Sequence, residues 1–367
     1  MIEQIARKAN LLKYSVLAAR RFKQPLRPTL RRALTLYRER RFLAEEAFAA
    51  GLLRLDCDPE LLRDLVSRRR QSQVQRRLNP ESWAPVLADK GIFYRFCAAH
   101  GIPIPELYAI YFRKTPGYCP KGTPLYDSQQ WARFIATSLP SEFVVKPCGS
   151  YRGTGVLGYE KKGDDEFSAS DGVTRSSRQI VDFLGLSRDA DSFVIQQRLH
   201  SCRTLRDLSA NSNLQTLRLT TFIDREGRFR ILFSHLKLMT RENVFTDNVR
   251  DGDTGTLVNV VCPENGTIVK AFFKMLDGSG DRSVSHHPVT HRKLIGLPVP
   301  CWDEACECVR HAAHAFLPIR SVGWDVGITD EGVRIIEGNI WWDRRHYAGD
   351  YLAILEDDLN HAGNARA

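Results

Sequence analysis

The 367-residue sequence predicts an α+β fold with an N-terminal helical extension. Two observations lead to this prediction. Between residues 107 and 338, short β-rich runs and helical stretches are mixed without the regular alternation of a doubly wound parallel sheet. Before residue 79, the chain instead reads as helical stretches separated by proline and glycine.

Charge is distributed unevenly along the chain. The net charge is +10, and residues 1–78 carry 19 basic and 8 acidic residues, whereas the remainder carries 34 basic and 35 acidic residues. This asymmetry predicts an accessory segment that faces an anionic partner, and it argues against a uniformly nucleic-acid-binding protein.

Three basic helices are predicted in the N-terminal segment. The first spans residues 2–24, the second spans 29–50, and the third runs from 58 to 77, starting with an Asp58 cap and a first-turn proline. Contact of residues 1–24 with an anionic membrane surface, or docking on a phosphorylated glycan carrier, would explain this charge. A solvated basic face explains it equally simply, and we favour that interpretation.

Composition also bounds the cellular location. No run approaches the roughly 18 apolar residues of a membrane span, and the N-terminus lacks the apolar core of a secretory signal. We therefore expect a cytoplasmic protein, with the inner face of the membrane as its site of peripheral contact. The nine scattered cysteines indicate reduced thiols.

A cysteine cluster near the C-terminus contains the residue types that bind zinc. Cys301, Cys306 and Cys308 lie close to His311 and His314 in the sequence. Their spacing is not that of a zinc ribbon, so small buried cysteines and a solvated histidine pair are the favoured interpretation.

After residue 79, the pattern predicts a series of strands and helices. The predicted strands are 107–112, 143–147, 155–160, 192–197, 216–223, 228–238, 256–261, 323–328 and 333–338. The predicted helices are 88–99, 127–138, 175–185, 265–276 and 302–316.

The stretch FVVKPCGSYRGTGVLGYE (143–160) combines a strand with a glycine-rich loop. The strand carries Lys146 to its end, and Pro147 prevents further ladder pairing. Glycines let the following backbone N–H groups approach phosphate oxygens, and lysine supplies a point charge. The spacing is not that of a P-loop, and a hairpin turn with incidental glycines explains the stretch as well.

The stretch VGWDVGITDEGVRIIEGN (322–339) predicts a hairpin that carries oxygen ligands. Glu337 and Asn339 share one face of a strand, and pairing would bring Asp325 near them. Carboxylate and amide oxygens suit Mg²⁺. An ordinary hairpin with outward polar residues explains Glu337 poorly, because Val333 and Ile335 lie on its face.

Other polar residues leave their roles open. Lys237 lies on a predicted strand, and its side chain would face either the active site or away from it. His286 and His287 are more often structural than functional in such loops, with His287 the better candidate. Asp247 and Asn248 would either bind substrate or cap a turn.

Several motifs occur in the order typical of ATP-grasp enzymes. They are DK at 89–90, GIPIP at 101–105, VVKP at 144–147, the glycine loop, IQQRL at 195–199, TLRLT at 216–220 and GWDVGIT…IIEGN at 323–339. With LNPESWAPVLADK and HHPVTHRKLIGLPVPCW, the chain resembles the sugar-transfer associated ATP-grasp family over about residues 30–345.

The resemblance implies an ATP site between two α+β subdomains that clasp the nucleotide. The first subdomain, with its pre-ATP-grasp region and lid, would span 79–191, and the second would span 192–346. The basic helical segment 1–78 would precede them, and a tail at 347–367 would follow.

The resemblance also implies individual roles. Residues for the nucleotide phosphates and their lid would be Lys90, Lys146, Gly149, Ser150, Arg152, Gly153, Thr154 and Gly155. The hinge that holds adenine would contain Gln196, Gln197 and Leu199. One or two Mg²⁺ ions, or Mn²⁺, would be held by Asp325, Glu337 and Asn339. The catalytic set would contain Arg218, Lys237 and His287.

The implied activity is an ATP-dependent carboxylate–amine ligase that works through an acyl phosphate in cell-envelope or exopolysaccharide synthesis. Its substrates would be a small carboxylate and an amine, sugar- or glycan-linked, with no nucleic-acid partner. Two alternatives are a kinase that phosphorylates a hydroxyl on the same fold, and a membrane- or glycan-binding protein with a vestigial nucleotide site.

Overall fold

The computed structural model describes residues 2–59, 62, 65–149, 154–188, 190–241, 245–247, 255–275, 277–343 and 351–364. These residues form two antiparallel sheets, each packed against helices, and a helical N-terminal segment. The α+β prediction is confirmed. None of the helices in this part of the chain is long and apolar enough to span a bilayer.

The helices are α1 Ile2–Arg21, α2 Leu26–Arg40, α3 Ala44–Ala49, α4 Arg68–Leu78, α5 Ala84–Ala88, α6 Lys90–Ala99, α7 Ser128–Thr137, α8 Ser177–Leu186, α9 Arg203–Ser209, α10 Trp302–Ala315 and α11 Tyr351–Asn364. A short 3₁₀ turn, Glu81–Trp83, precedes α5.

The first sheet has six strands: β1 Leu107–Phe112, β2 Glu142–Pro147, β3 Leu157–Gly163, β4 Glu166–Ala169, β5 Thr174–Arg175 and β6 Ser192–Gln197. Their spatial order is β1-β6-β2-β3-β4-β5, with antiparallel neighbours throughout. Helix α7 covers this sheet with Trp131, Phe134 and Ile135, which helical spacing places on one face. Burial of each such side chain contributes about 1.5–3 kcal/mol.

The second sheet has seven strands: β7 Thr216–Ile223, β8 Phe229–Met239, β9 Thr256–Val261, β10 Ile268–Lys274, β11 Asp281–Val284, β12 Ser321–Thr329 and β13 Gly332–Asn339. Their spatial order is β11-β10-β9-β8-β7-β12-β13. Helix α10 packs on it through Ala305, Val309 and Ala312, all fully buried. Helix α6 joins the same core with Phe93 and Tyr94.

The N-terminal segment is helical, but its helices are shorter than predicted. The predicted helix at 29–50 is interrupted after Arg40, where Arg41 adopts a left-handed conformation with φ of 60°. The predicted helix at 58–77 is also interrupted, because residues 65–67 are not helical and α4 begins at Arg68 with Ser67 as its cap.

Other predictions need correction. The prediction of a helix at 265–276 is wrong, because the described residues of this stretch contain β10, whose β-branched and aromatic residues pair with β9 and β11. The predicted boundary between 191 and 192 removes β6 from its own sheet, where β6 lies between β1 and β2. The predicted tail at 347–367 contains α11, which packs against α4 through Tyr351 and Leu355.

Candidate active site

A cleft of about 800 Å³ lies between the two sheets. Its polar lining residues are Lys90, Lys146, Gln196, Gln197, Arg198, Asn213, Thr216, Lys237, Thr246, Asp247, Asp325 and Glu337. Its apolar lining residues are Val144, Val156, Leu199, Leu214, Phe245 and Ile336. The cleft thus brings together residues that the sequence predicts for nucleotide, metal and catalysis.

Strand register explains one side of the cleft. Arg218 of β7 pairs directly with Asp325 of β12, and Asp325 in turn pairs with Glu337 of β13. We call the cleft-lining residues Lys237, Asp247, Asp325 and Glu337, together with Arg218, which contacts Asp325 but does not itself line the cleft, the carboxylate wall. Because directly opposed residues of neighbouring strands share a face, folding of the sheet itself assembles this part of the wall.

A bidentate ion pair lies at the centre of the carboxylate wall. Arg218 donates to both Asp325 oxygens, from Nε at 2.7 Å and from the terminal nitrogen at 2.6 Å. Burial alone would raise the pKa of Asp325, but the charges of Arg218 and Lys237 hold it well below its usual range. Gly323 leaves room for Arg218, since a Cβ there would lie 2.8 Å from Trp342 Cβ and 3.3 Å from the guanidinium.

Lys237 links this ion pair to a second carboxylate. Its Nζ lies 3.4 Å from Asp325 Oδ1 and 3.4 Å from Asp247 Oδ1. The Thr216 N–H and hydroxyl both donate to Asp247 Oδ2 at 2.6 Å. Lys237 therefore faces the cleft, and Asp247 contributes to its wall through tertiary contacts.

The predicted metal ligands lie together. The Asn339 amide donates to Glu337 Oε1 at 3.2 Å, and a hydrogen bond between Glu337 and Asp325 contributes to the low pKa of Asp325. Two carboxyl groups in hydrogen-bond contact beside an amide form an oxygen-rich donor set, which fits a hard divalent cation. No cluster of three or more His, Cys, Asp or Glu side chains with metal-site geometry occurs among the described residues.

The opposite side of the cleft carries Lys90 and Lys146, which we call the lysine wall. Lys146 is at the end of β2, and burial lowers its pKa to about 8, against the charge of Glu337 that raises it. Its Nζ has no hydrogen-bond partner among the described residues. Lys90 opens α6, and its N–H donates to Cys148 O, which ties that helix to the first sheet.

The predicted hinge also lines the cleft. Gln196 and Gln197 are the last two residues of β6 and Leu199 follows the strand, but the Gln197 N–H already donates to Glu106 O. Gln196 Oε1 is buried and has no hydrogen-bond partner among the described residues. An unpaired acceptor at this position costs free energy until a donor reaches it.

The glycine loop is described only at its two ends. Gly149 and Thr154 are exposed, and Gly155 has φ of 75°. Ser150, Arg152 and Gly153 lie outside the described residues, as does Asn248.

The prediction of His287 as a catalytic residue does not fit the structure. The side chain is fully buried, one ring nitrogen lies 3.1 Å from Met239 O, and the other accepts from the Thr290 N–H. Burial lowers the pKa of His287, which is consistent with a neutral structural ring. His286 is exposed and does not line the cleft.

Sequence reasoning did not identify several lining residues. Phe245 contacts the first sheet from the loop after β8: a Cβ on Gly158 would lie 2.3 Å from its ring, and Arg198 stacks over it at 5.5 Å. The sequence around Asp247 predicts only a substrate ligand or a turn cap. Its contacts join residues 31 and 10 positions away, and no local pattern carries that information.

The chain is similar to several solved structures. D-alanine–D-alanine ligase from Bacillus anthracis is 10% identical with a TM-score of 0.42, over 77% of this chain and 70% of that chain. Carboxyaminoimidazole ribonucleotide synthase from Aspergillus clavatus is 11% identical with a TM-score of 0.40, over 75% and 50%. L-amino acid ligase from Bacillus licheniformis is 10% identical with a TM-score of 0.39, over 70% and 43%.

The sequence comparisons are more direct. No curated protein matched the sequence. The family model for sugar-transfer associated ATP-grasp proteins matches residues 69–345, which is more than half of the chain and begins later than the predicted residue 30. The predicted family and fold are confirmed, and such membership supports an ATP-dependent enzyme. The chain belongs to the sugar-transfer associated ATP-grasp family and has the ATP-grasp fold.

Proposed function

We propose that the protein is an ATP-dependent carboxylate–amine ligase that forms an amide through an acyl phosphate. The observation that carries this proposal is the meeting of Lys146 with Asp325 and Glu337 across one cleft. Cations on one wall and carboxylates on the other suit a nucleotide whose phosphates bind the first and whose metal ion binds the second.

The nucleotide fits the cleft chemically. Val144 and Ile336 offer apolar surface to a flat base, and the unpaired Gln196 Oε1 would accept from an exocyclic amino group of adenine. Lys146 and Lys90 supply positive charge to the phosphate oxygens. The glycine loop would close over the triphosphate and exclude water.

In the first chemical step, a substrate carboxylate oxygen attacks the γ-phosphorus, and the bond to the β-phosphate oxygen breaks, giving ADP and an acyl phosphate. Arg218 would steady the transferred group, because a guanidinium matches planar arrays of oxygens. In the second step, a neutral amine attacks the acyl carbon and phosphate leaves, while the amine proton passes to phosphate or solvent.

Asp325, Glu337 and Asn339 would hold one or two Mg²⁺ ions, and Mn²⁺ has similar ligand preferences. When bound, the metal neutralises charge on the phosphate oxygens. The protein's own residues orient the groups: Lys237, between Asp247 and Asp325, fixes both carboxylates relative to Arg218.

A screen of acid–amine pairs tests the activity. ADP release should require both an acid and an amine, and mass analysis should find the amide. Asp325→Asn serves as the inactive control. ADP release with a hydroxyl compound and a stable phosphoester would instead identify a kinase, and no thermal stabilisation by ATP with Mg²⁺ would favour a vestigial site.

The proposed substrate class and the proposed cellular location are inferred from the family. The family's association with sugar transfer supports a sugar- or glycan-linked substrate in envelope or exopolysaccharide synthesis, in the cytoplasm at the inner face of the membrane. We propose that residues 1–78, the two ATP-grasp subdomains and residues 347–367 are the functional divisions of the chain, with β6 in the first subdomain.

Peripheral contact with an anionic membrane is the remaining part of the proposal. Leu12 and Leu17 of α1 have exposed fractions of 51% and 41%, beside basic residues. Replacing both leucines by glutamine should reduce sedimentation with phosphatidylglycerol vesicles several-fold, since ~0.8 kcal/mol is lost per buried CH₂. Equal sedimentation of wild type and variant would contradict membrane contact through α1.

A further inference from the structure

A second cavity lies between the end of α2, α4 and α11. It has about 1380 Å³ of empty space and is lined by five arginines, no lysine and two glutamates. The arginines are Arg40, Arg41, Arg70, Arg76 and Arg77, and the glutamates are Glu39 and Glu356. We call this cavity the arginine groove. It shares no lining residue with the cleft between the sheets.

Only part of the positive charge in the groove is neutralised. Arg70 donates to both Glu356 oxygens, at 3.1 and 2.8 Å, and Arg76 pairs with Glu81. These two ion pairs leave Arg40, Arg41 and Arg77 of the five arginines.

The other three guanidinium groups have no carboxylate partner among the described residues. Arg40 donates to Leu62 O at 2.9 Å, and Arg41 donates to Gln73 Oε1 at 3.0 Å, both neutral acceptors. Arg77 is exposed. The groove therefore has excess positive charge in a concave, partly enclosed space.

The backbone of Arg41 supports a role for its side chain. Arg41 follows the last residue of α2 with φ of 60° and ψ of 22°, a left-handed conformation. Glycine suits this position, because a Cβ is crowded in the left-handed conformation. The Arg41 N–H donates to Leu36 O and so caps the helix, and this helix end places the Arg41 side chain on the rim of the groove.

We propose that the arginine groove binds a phosphate-bearing ligand at a site separate from the cleft. Guanidinium groups present paired N–H donors that match two phosphate oxygens, and a cavity lined by arginine without lysine favours this planar recognition. The phosphate belongs either to a soluble phosphate ester or diphosphate, or to a phospholipid headgroup. The inference is independent of the reaction catalysed in the cleft.

The main experiment compares pyrophosphate binding by calorimetry in the full chain. The double variant Arg41→Gly with Arg77→Gln should bind at least about tenfold more weakly, because it removes two charge-assisted contacts to phosphate oxygens. Arg41→Gly alone should melt at the same or a higher temperature, since glycine relieves the backbone. Weaker binding without destabilisation separates a ligand role from a folding role.

Two controls make the result specific. Arg27→Gln with Arg31→Gln removes the same charge from exposed positions outside the groove and should bind like the wild type. Lys146→Met reports on the cleft. Pyrophosphate binding that is lost in Lys146→Met but kept in the groove variant would overturn the proposal.

Vesicles distinguish the two sources of phosphate. Binding to phosphatidylglycerol vesicles, but not to phosphatidylcholine vesicles, that is lost in the groove variant would assign a lipid headgroup. Pyrophosphate binding without groove-dependent vesicle binding would assign a soluble ligand. If the wild type binds neither, or the groove variant binds both as the wild type does, the proposal is wrong.

Discussion

The two walls of the cleft use charge in different ways. On the carboxylate wall, Lys237, Asp247 and Asp325 are buried, Arg218 is 14% exposed, and ion pairs link the four residues. On the lysine wall, Lys146 Nζ has no partner within the described chain, and burial depresses its pKa. Charges on the first wall therefore support the fold as well as the site, whereas the Lys146 charge is unfavourable until an anion arrives.

This difference predicts that substitutions on the two walls separate stability from binding. The largest effect is expected for Asp325→Asn. It should abolish turnover and lower the free energy of unfolding by about 3 kcal/mol, because it leaves Arg218 buried without a counter-charge. Chemical denaturation and ADP release measure the two effects.

Glu337→Gln is the matched control for this prediction. Glu337 is half-buried and accepts a hydrogen bond from Asn339, but no buried cation forms an ion pair with it in the described chain. We expect lost turnover with unfolding energy within about 1 kcal/mol of wild type. Equal destabilisation by both variants would refute the distinction between a folding charge and a purely functional one.

The carboxylate wall also shows what sequence reasoning recovers. Alternation along 323–339 predicted that Glu337 and Asn339 share a face, because a strand has a fixed period of two. It did not predict the Arg218–Asp325 pair, which depends on the register between β7 and β12, more than 100 residues apart. Loop 150–153, part of the glycine-rich stretch that predicts phosphate binding, lies outside the described residues.

Errors in the fold prediction have the same origin. Residues 265–276 carry apolar side chains compatible with either helix or strand, and their strand state depends on pairing with β9 and β11. His287 was selected from a motif, but its buried contacts with Met239 and Thr290 are tertiary. Local periodicity predicts which stretches form helices or strands. The pairing of distant residues decides which strands are neighbours and which side chains contact one another.

The next largest effect is expected on the lysine wall. Lys146→Met should weaken ATP binding about 10- to 100-fold, because it removes a charged contact to phosphate. The melting temperature without ATP should be unchanged or higher, since the substitution removes a charge that burial disfavours. Lys121→Met, whose side chain is 80% exposed, is the control and should change neither quantity. A Lys146→Met protein that is as unstable as Asp325→Asn would make the two walls equivalent.

The smallest expected effect is the uptake of protons by the lysine wall when ATP binds. Without ligand, Lys146 loses its proton near its pKa of about 8, below the value of about 10.4 for a free lysine. Its contribution to folding stability therefore becomes more favourable as pH rises between these values, because the unfolded chain binds more protons there. A bound triphosphate favours the charged form, so ATP binding at about pH 8.5 should take up roughly three-quarters of a proton. Calorimetry in buffers of different ionisation enthalpy measures this uptake.

The uptake of protons on ATP binding should disappear in Lys146→Met and persist in Lys121→Met. An uptake that survives in Lys146→Met would mean that another group on the cleft carries the perturbed proton.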